Sequence, residues 1–151
     1  MTHHRTPATG APTTGLSHVQ LRVTDVGASA KWYAAALGLE PYAEDLDTGY
    51  VALRHRGAKF VVVLITRSDS RPSGGGECPD AAEATDGGVG SLDHLAFAVP
   101  DGDGLRAWGD HLTAIGIAHA GVVEENGNPS LQLRDPDGIA IELVAPGGRQ
   151  A

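Results

Sequence analysis

The chain has 151 residues, and the 41% that are hydrophobic are enough to form the core of one domain. Its formal net charge of -8 argues against nucleic acid as a partner, because binding to a phosphate backbone needs a basic surface. No segment is apolar over the length needed to cross a bilayer, so no membrane partner is expected. The single cysteine, Cys78, rules out an intrachain disulfide and suits a reducing, cytoplasmic compartment.

The N-terminal 15 residues are rich in Thr, Pro, Ala and Gly and are predicted to be a disordered tail without the apolar stretch of a signal peptide. One domain is predicted over residues 16–146, followed by a short tail at 147–151. Within the domain the sequence repeats itself. Module 1 covers 16–67 and module 2 covers 92–146, and a Ser-, Gly- and Asp-rich linker joins them over 68–91.

The repeat is clearest where each module begins. The segments Leu16–Val23 and Leu92–Val99 both alternate in the period of a half-buried strand, and each has a histidine in third place, His18 and His94. A helix is predicted to follow each strand, because an aspartate suited to cap a helix comes two residues later in both modules. Both helices are predicted to end at a glycine, in Leu37-Gly38-Leu39 and Ile115-Gly116-Ile117.

Three strands are predicted after each helix, separated by turns rich in Gly, Asp, Asn and Pro. They cover Leu39–Glu44, Tyr50–His55 and Lys59–Thr66 in module 1, and Ile117–Val123, Ser130–Arg134 and Ile139–Val144 in module 2. The predicted fold class is therefore α+β, with two βαβββ modules whose strands form a curved sheet around a cleft.

Strand alternation predicts which side chains face that cleft. In the first strand, Val19, Leu21 and Val23 share the face that packs under the helix, so His18 and Gln20 point into the cleft. By the same alternation His94 points inward from the equivalent strand of module 2. In the last strand the inward position falls on a carboxylate, Glu142.

Glu142 lies in the apolar run Ile139–Val144, where an unpaired carboxylate would cost several kcal/mol. A metal cation would remove that cost, as would an arginine or a set of hydrogen bonds. Since the two histidines occupy equivalent places in the repeat, pseudo-twofold symmetry would bring them to the same cleft. Two imidazoles and a carboxylate are a common ligand set for Zn, Fe, Ni or Mn, and they leave coordination positions open. Taken singly, each of the three residues could have a purely structural role. Together, His18, His94 and Glu142 favour a divalent-metal site.

These segments resemble the vicinal oxygen chelate superfamily, also called the glyoxalase/bleomycin-resistance/dioxygenase fold, over roughly residues 16–146. The motifs that carry the resemblance are His18–Val23, Trp32-Tyr33 with the exit Leu37–Leu39, Asp93–Phe97 and Arg134–Leu143. The resemblance implies metal ligands at His18, His94 and Glu142. It also implies a homodimer, since family members are commonly dimers, often with ligands contributed by both chains.

Departures from subfamily patterns narrow the implied activity. Glyoxalase I usually has a fourth ligand in the fourth strand, but Lys59–Thr66 contains no carboxylate, glutamine or histidine. Extradiol dioxygenases usually have a tyrosine at the position of Gln132, together with a histidine that is missing from Val122–Asn128. Fosfomycin-modifying enzymes have a threonine at the position of Gln20. These departures argue against each subfamily without excluding ring cleavage.

Two functions of different classes follow. The first is a metal-dependent enzyme of lyase, isomerase or dioxygenase type, acting on a small metabolite that chelates through two oxygens. Gln20, Tyr50, Arg54 and Gln132 are its candidate substrate-binding residues, although a solvated strand position is the simpler interpretation, above all of Arg54. The second is a non-catalytic resistance protein that sequesters an aromatic antibiotic or metabolite, with stacking walls at Trp32, Tyr50 or Trp108.

Overall fold

A computed structural model describes residues 16–66, 92–125 and 127–147. The predicted N-terminal tail, the linker and all but one residue of the C-terminal tail lie outside the described residues. The described part contains two helices and eight strands in the predicted βαβββ order of each module. In chain order they are β1 (Val19–Val23), α1 (Val26–Leu37), β2 (Glu40–Asp45), β3 (Tyr50–Arg54), β4 (Val61–Thr66), β5 (His94–Ala98), α2 (Gly102–Ala114), β6 (His119–Glu125), β7 (Asn128–Arg134) and β8 (Ala140–Val144).

Each module forms a four-stranded sheet of the same topology, so the predicted duplication and fold class are confirmed. The strand order is β1-β4-β3-β2 in module 1 and β5-β8-β7-β6 in module 2. The first strand of each module runs parallel to the last one, and the other neighbours are antiparallel. Strands β1 and β5 therefore each form one edge of a sheet.

The helices begin and end where local chemistry predicts. The Asp25 carboxylate accepts a hydrogen bond from the Ala28 amide at 2.8 Å, and Asp101 caps α2 through the Gly104 amide at the same distance. Gly38 ends α1 with a φ of 65°, in the left-handed region that glycine adopts without strain. No helix among the described residues is long and apolar enough to cross a bilayer.

One core runs through both modules and confirms the predicted strand faces. In β1, Leu21 and Val23 are buried under α1, whereas Gln20 and Arg22 are exposed. Strand β8 likewise buries Ile141 and Leu143. Each fully buried aliphatic side chain contributes about 1.5–3 kcal/mol relative to exposure, so this alternation fixes which face of each sheet remains open.

The modules are joined by helix α1 and the turn between β7 and β8. The Tyr33 hydroxyl donates to Asp135 Oδ2 at 3.0 Å, and Asp135 is only 5% exposed. Thr24, which lies just before the helix, donates from its amide and hydroxyl to Asp137 in the same turn. Burial, followed by the charge and hydrogen bond of Asp135, raises the pKa of Tyr33. The Asp-Pro-Asp-Gly motif thus ties module 2 to module 1.

Several strand boundaries differ from prediction by one or two residues. Strand β7 begins at Asn128, so the predicted turn 126–129 is shorter than expected, and Gly127 provides its left-handed residue with φ of 78°. Pro129 is accommodated because it lies at the start of the strand, where it leaves the rest of the ladder intact. Strand β4 begins at Val61 rather than Lys59.

Candidate metal centre

The second sheet brings two of the three predicted ligands together. His94 begins β5, and Glu142 lies on the neighbouring parallel strand β8, opposite Ala96. His94 Nε2 is 3.4 Å from Glu142 Oε2, and the two side chains are 46% and 17% exposed. Two donor atoms at about 2.1 Å from one tetrahedral ion stand about 3.4 Å apart, so this pair fits a shared cation.

Asp93 orients the His94 ring. Its Oδ2 is 2.7 Å from His94 Nδ1, and because a carboxylate only accepts, Nδ1 carries the proton and donates. The lone pair of the neutral imidazole is then on Nε2, the nitrogen that faces Glu142. The hydrogen bond to Asp93, opposed by desolvation and reinforced by the charges of Glu142 and Asp93, raises the pKa of His94. A carboxylate behind a histidine ligand is a common feature of metal sites.

His18 lies on the open face of the first sheet. Its Nδ1 is 3.2 Å from Ser17 Oγ, which leaves Nε2 available. His18 borders a cavity of about 170 Å³, and the predicted substrate-binding residues Gln20 and Tyr50 border it too. The other side chains of this cavity, which we call the His18 pocket, are Ser17, Tyr42, Val61 and Val63.

A single chain does not bring all three predicted ligands to one point in its described part. Residues 16–66, 92–125 and 127–147 contain no group of three His, Cys, Asp or Glu side chains placed to hold a metal ion. Within these residues, His94 and Glu142 lie close together, and His18 borders a separate cavity that neither of them lines. The three-ligand set therefore stays a prediction.

The remaining candidate substrate residues lie on the same two faces. Gln132 is exposed and directly opposite Glu142 in the ladder between β7 and β8. Arg54 is exposed and opposite Val61 between β3 and β4, which places it on the face of the His18 pocket. Its guanidinium carbon lies 5.6 Å from the centroid of the Tyr42 ring, within range of a cation–π contact.

Sequence reasoning missed Tyr42 as a residue of this site. Strand β2 changes register between Pro41 and Ala43, so Tyr42 is the extra residue of a bulge. Simple alternation fails at a bulge, and no signal in the sequence marks this one. The two tryptophans, in contrast, pack against the core as part of the helices. Trp32 contacts Tyr33 edge-on and Trp108 contacts His111 in the same way.

Comparison with known proteins identifies the family to which the chain is similar. The family model for the Glyoxalase/Bleomycin resistance protein/Dioxygenase superfamily matches residues 15–143. A putative ring-cleaving dioxygenase, MhqA of Bacillus subtilis (strain 168), is 37% identical over 60 residues, which are 40% of this chain and 19% of the relative. The match thus spans about a fifth of that relative's length.

Two solved structures share the fold over most of both chains. The glyoxylase/bleomycin resistance protein/dioxygenase domain from Frankia sp. EAN1pec is 27% identical, with a TM-score of 0.69 and coverage of 93% of this chain and 96% of that one. Lactoylglutathione lyase from Agrobacterium tumefaciens is 19% identical, with a TM-score of 0.66 and coverage of 89% and 96%. At 19% identity, the similarity to this lyase shows only that the two chains share a fold.

Proposed function

The chain belongs to the Glyoxalase/Bleomycin resistance protein/Dioxygenase superfamily, and we propose that it is a divalent-metal-dependent enzyme whose substrate is a small metabolite with two neighbouring oxygens. His18, His94 and Glu142 would hold the metal, which is Zn, Fe, Ni or Mn. The observation that carries the proposal is the 3.4 Å approach of His94 Nε2 to Glu142 Oε2, with the other nitrogen of the ring held by Asp93.

The surroundings of Glu142 support a cation at this place. Its side chain is 17% exposed and lies on the face of β8 opposite to the buried side chains of Ile141 and Leu143. Neutral His94 offers Glu142 a lone pair rather than a proton, because its proton is directed at Asp93. Two electron-pair donors that face each other are stabilised by a shared cation, either a metal ion or, when His94 is protonated, the proton on its Nε2.

The third ligand, His18, would come from a second copy of the chain. Within the described residues β1 pairs only with β4 and β5 only with β8, so each has an edge with unpaired backbone groups. Pairing β1 of one copy with β5 of the other would satisfy these groups. It would also place the His18 pocket beside the face that carries His94 and Glu142. Twofold symmetry would then produce two equivalent sites per dimer.

The side chains around the two faces would bind and orient the substrate. Gln20 and Tyr50 border the His18 pocket, and Gln132 is exposed opposite Glu142, so hydrogen-bonding groups approach from both sheets. The apolar side chains Val61 and Val63 would contact the body of the substrate. When bound, the metal supplies Lewis-acid stabilisation of negative charge on a substrate oxygen or, if it is iron, activation of dioxygen.

Elemental analysis of protein purified without added metal tests this proposal. We expect a stoichiometric divalent metal in the unaltered chain and its loss in Glu142→Ala. The matched control is Glu44→Ala, the same change at an exposed position of β2, which should keep the metal. Metal-free protein that binds an aromatic drug equally well with and without a chelator would contradict the proposal and favour the alternative function of sequestration.

A further inference from the structure

Arg54 lies on the same face of the first sheet as the proposed metal ligand His18. It is opposite Val61 in the ladder between β3 and β4, and Val61 borders the His18 pocket. Strand β4 lies between β3 and β1, so Arg54 is two strand spacings, about 10 Å, from the strand that His18 precedes. A small molecule bound at His18 can therefore extend across β4 to the Arg54 guanidinium.

Arg54 has no ion-pair partner among the described carboxylates, and Glu40, which lies opposite it in the ladder between β2 and β3, is paired with Arg56 instead. Among the described side chains Arg56 is paired with Glu40, and Arg106 with Asp103, but none of the described carboxylates forms an ion pair with Arg54. Its contact is instead the Tyr42 ring, which supports the guanidinium without neutralising it. An exposed arginine held against an aromatic face keeps its planar fork available for an anion.

A cavity of about 670 Å³ surrounds this arginine. It adjoins the His18 pocket, because Val61 borders both. Its charged lining side chains are all basic: Arg54, Arg56 and Lys59. Since Arg56 is paired with Glu40, Arg54 and Lys59 are the two positive charges of this lining that form no ion pair with a described carboxylate, in a chain with a net charge of -8. Phe60 adds an apolar side chain to the lining of this cavity and packs against the core.

We propose that the substrate carries a carboxylate at the end opposite its two chelating oxygens, and that Arg54, assisted by Lys59, binds it. This inference rests on the proposed function, because it places the chelating end at His18. The planar guanidinium of Arg54 matches a carboxylate with two parallel hydrogen bonds. The ammonium of Lys59 adds a second positive charge at the rim of the cavity.

Two probes that differ by this one group provide the test. Catechol and 3,4-dihydroxybenzoate both present two neighbouring oxygens, but only the second has a carboxylate. Calorimetric titration of the metal-loaded full chain should give a dissociation constant about 10-fold or more lower for the carboxylate probe. Arg54→Gln should remove most of this ratio and leave the dissociation constant of catechol unchanged. Arg106→Gln, at an exposed arginine of α2 that is paired with Asp103 and does not line this cavity, is the matched control and should retain the ratio.

The same titrations after metal removal separate the two proposals. A catechol affinity that does not change on removal of the metal contradicts the metal-dependent function, and an Arg54-dependent carboxylate ratio would still support the anion site. An unchanged ratio in Arg54→Gln, or an equal loss in Arg106→Gln, overturns the role of Arg54. Absence of binding by either probe also overturns it. Because Arg54 is exposed, Arg54→Gln should keep the thermal midpoint of the unaltered chain.

Discussion

Asp135→Ala should destabilise the chain by about 3 kcal/mol, because this carboxylate fastens the two modules together. Its Oδ2 accepts from the Tyr33 hydroxyl at 3.0 Å, and its Oδ1 accepts from the amides of Asp137 and Ile139 at 3.0 and 2.8 Å. Loss of the carboxylate leaves the Tyr33 hydroxyl buried without this partner, at about 1–3 kcal/mol. The two amides lie in a partly exposed turn and recover part of their bonds from water, so each adds about 0.5 kcal/mol.

A double-mutant cycle isolates the contact between the modules. Tyr33→Phe removes only the donor and leaves Asp135 bound to its two amides, so it should cost about 1.5 kcal/mol. The coupling energy between Tyr33→Phe and Asp135→Ala should therefore be about 1.5 kcal/mol. Urea denaturation followed by circular dichroism, at one fixed chain concentration, measures all four proteins. A coupling energy near zero would refute the role assigned to this hydrogen bond.

Three further predictions concern pH, metal affinity and backbone strain. Because the pKa of Tyr33 is raised in the folded state, its contribution to stability is complete below the unfolded pKa of about 10 and falls as the pH rises above that value. The difference in unfolding free energy between the unaltered chain and Tyr33→Phe should therefore shrink from pH 8 to pH 11 in urea denaturation. Asp93→Asn should weaken metal affinity about 10- to 100-fold in competition with a chromogenic chelator, and an unchanged affinity would exclude an orienting role for Asp93. Gly49→Ala should lower stability by about 2 kcal/mol, because φ at this residue is 72° and the new Cβ would collide with the Thr66 hydroxyl. Gly38→Ala, which has open space around its Cβ, should cost only about 1 kcal/mol of backbone strain. Equal losses of stability in the two variants would contradict this difference.

Local patterns were sufficient to predict the elements and their faces. Alternation in Val19–Val23 separates the buried Leu21 from the exposed Gln20 because a strand has a period of two, and no bulge interrupts this segment. Asp25 and Gly38 mark the ends of α1 because capping depends on neighbouring residues alone. The duplication extended these predictions to the second module, where the same chemistry recurs.

The arrangement of the two modules relative to each other could not be predicted from the sequence. The way in which the modules meet depends on Tyr33 and Asp135, which are far apart in sequence, and a pattern of alternation contains no information about that contact. The pairing of His94 with Glu142 could be predicted because they lie on the first and last strands of one module. The position of His18 relative to that pair depends on how whole sheets are arranged, so symmetry alone left the one-chain and two-chain arrangements open.

The most direct test of the proposed metal centre is complementation between two altered chains. His18→Ala and Glu142→Ala chains, carried on different tags and co-expressed, are purified as the heterodimer through both tags, and its metal is measured by elemental analysis. If one chain supplies His18 and the other His94 with Glu142, one of the two sites is intact, and we expect one metal ion per heterodimer and none in either homodimer. A heterodimer of His94→Ala and Glu142→Ala has no intact site and should hold no metal. Failure of the first heterodimer to bind metal, while the unaltered chain does, would contradict a shared site built from these three ligands.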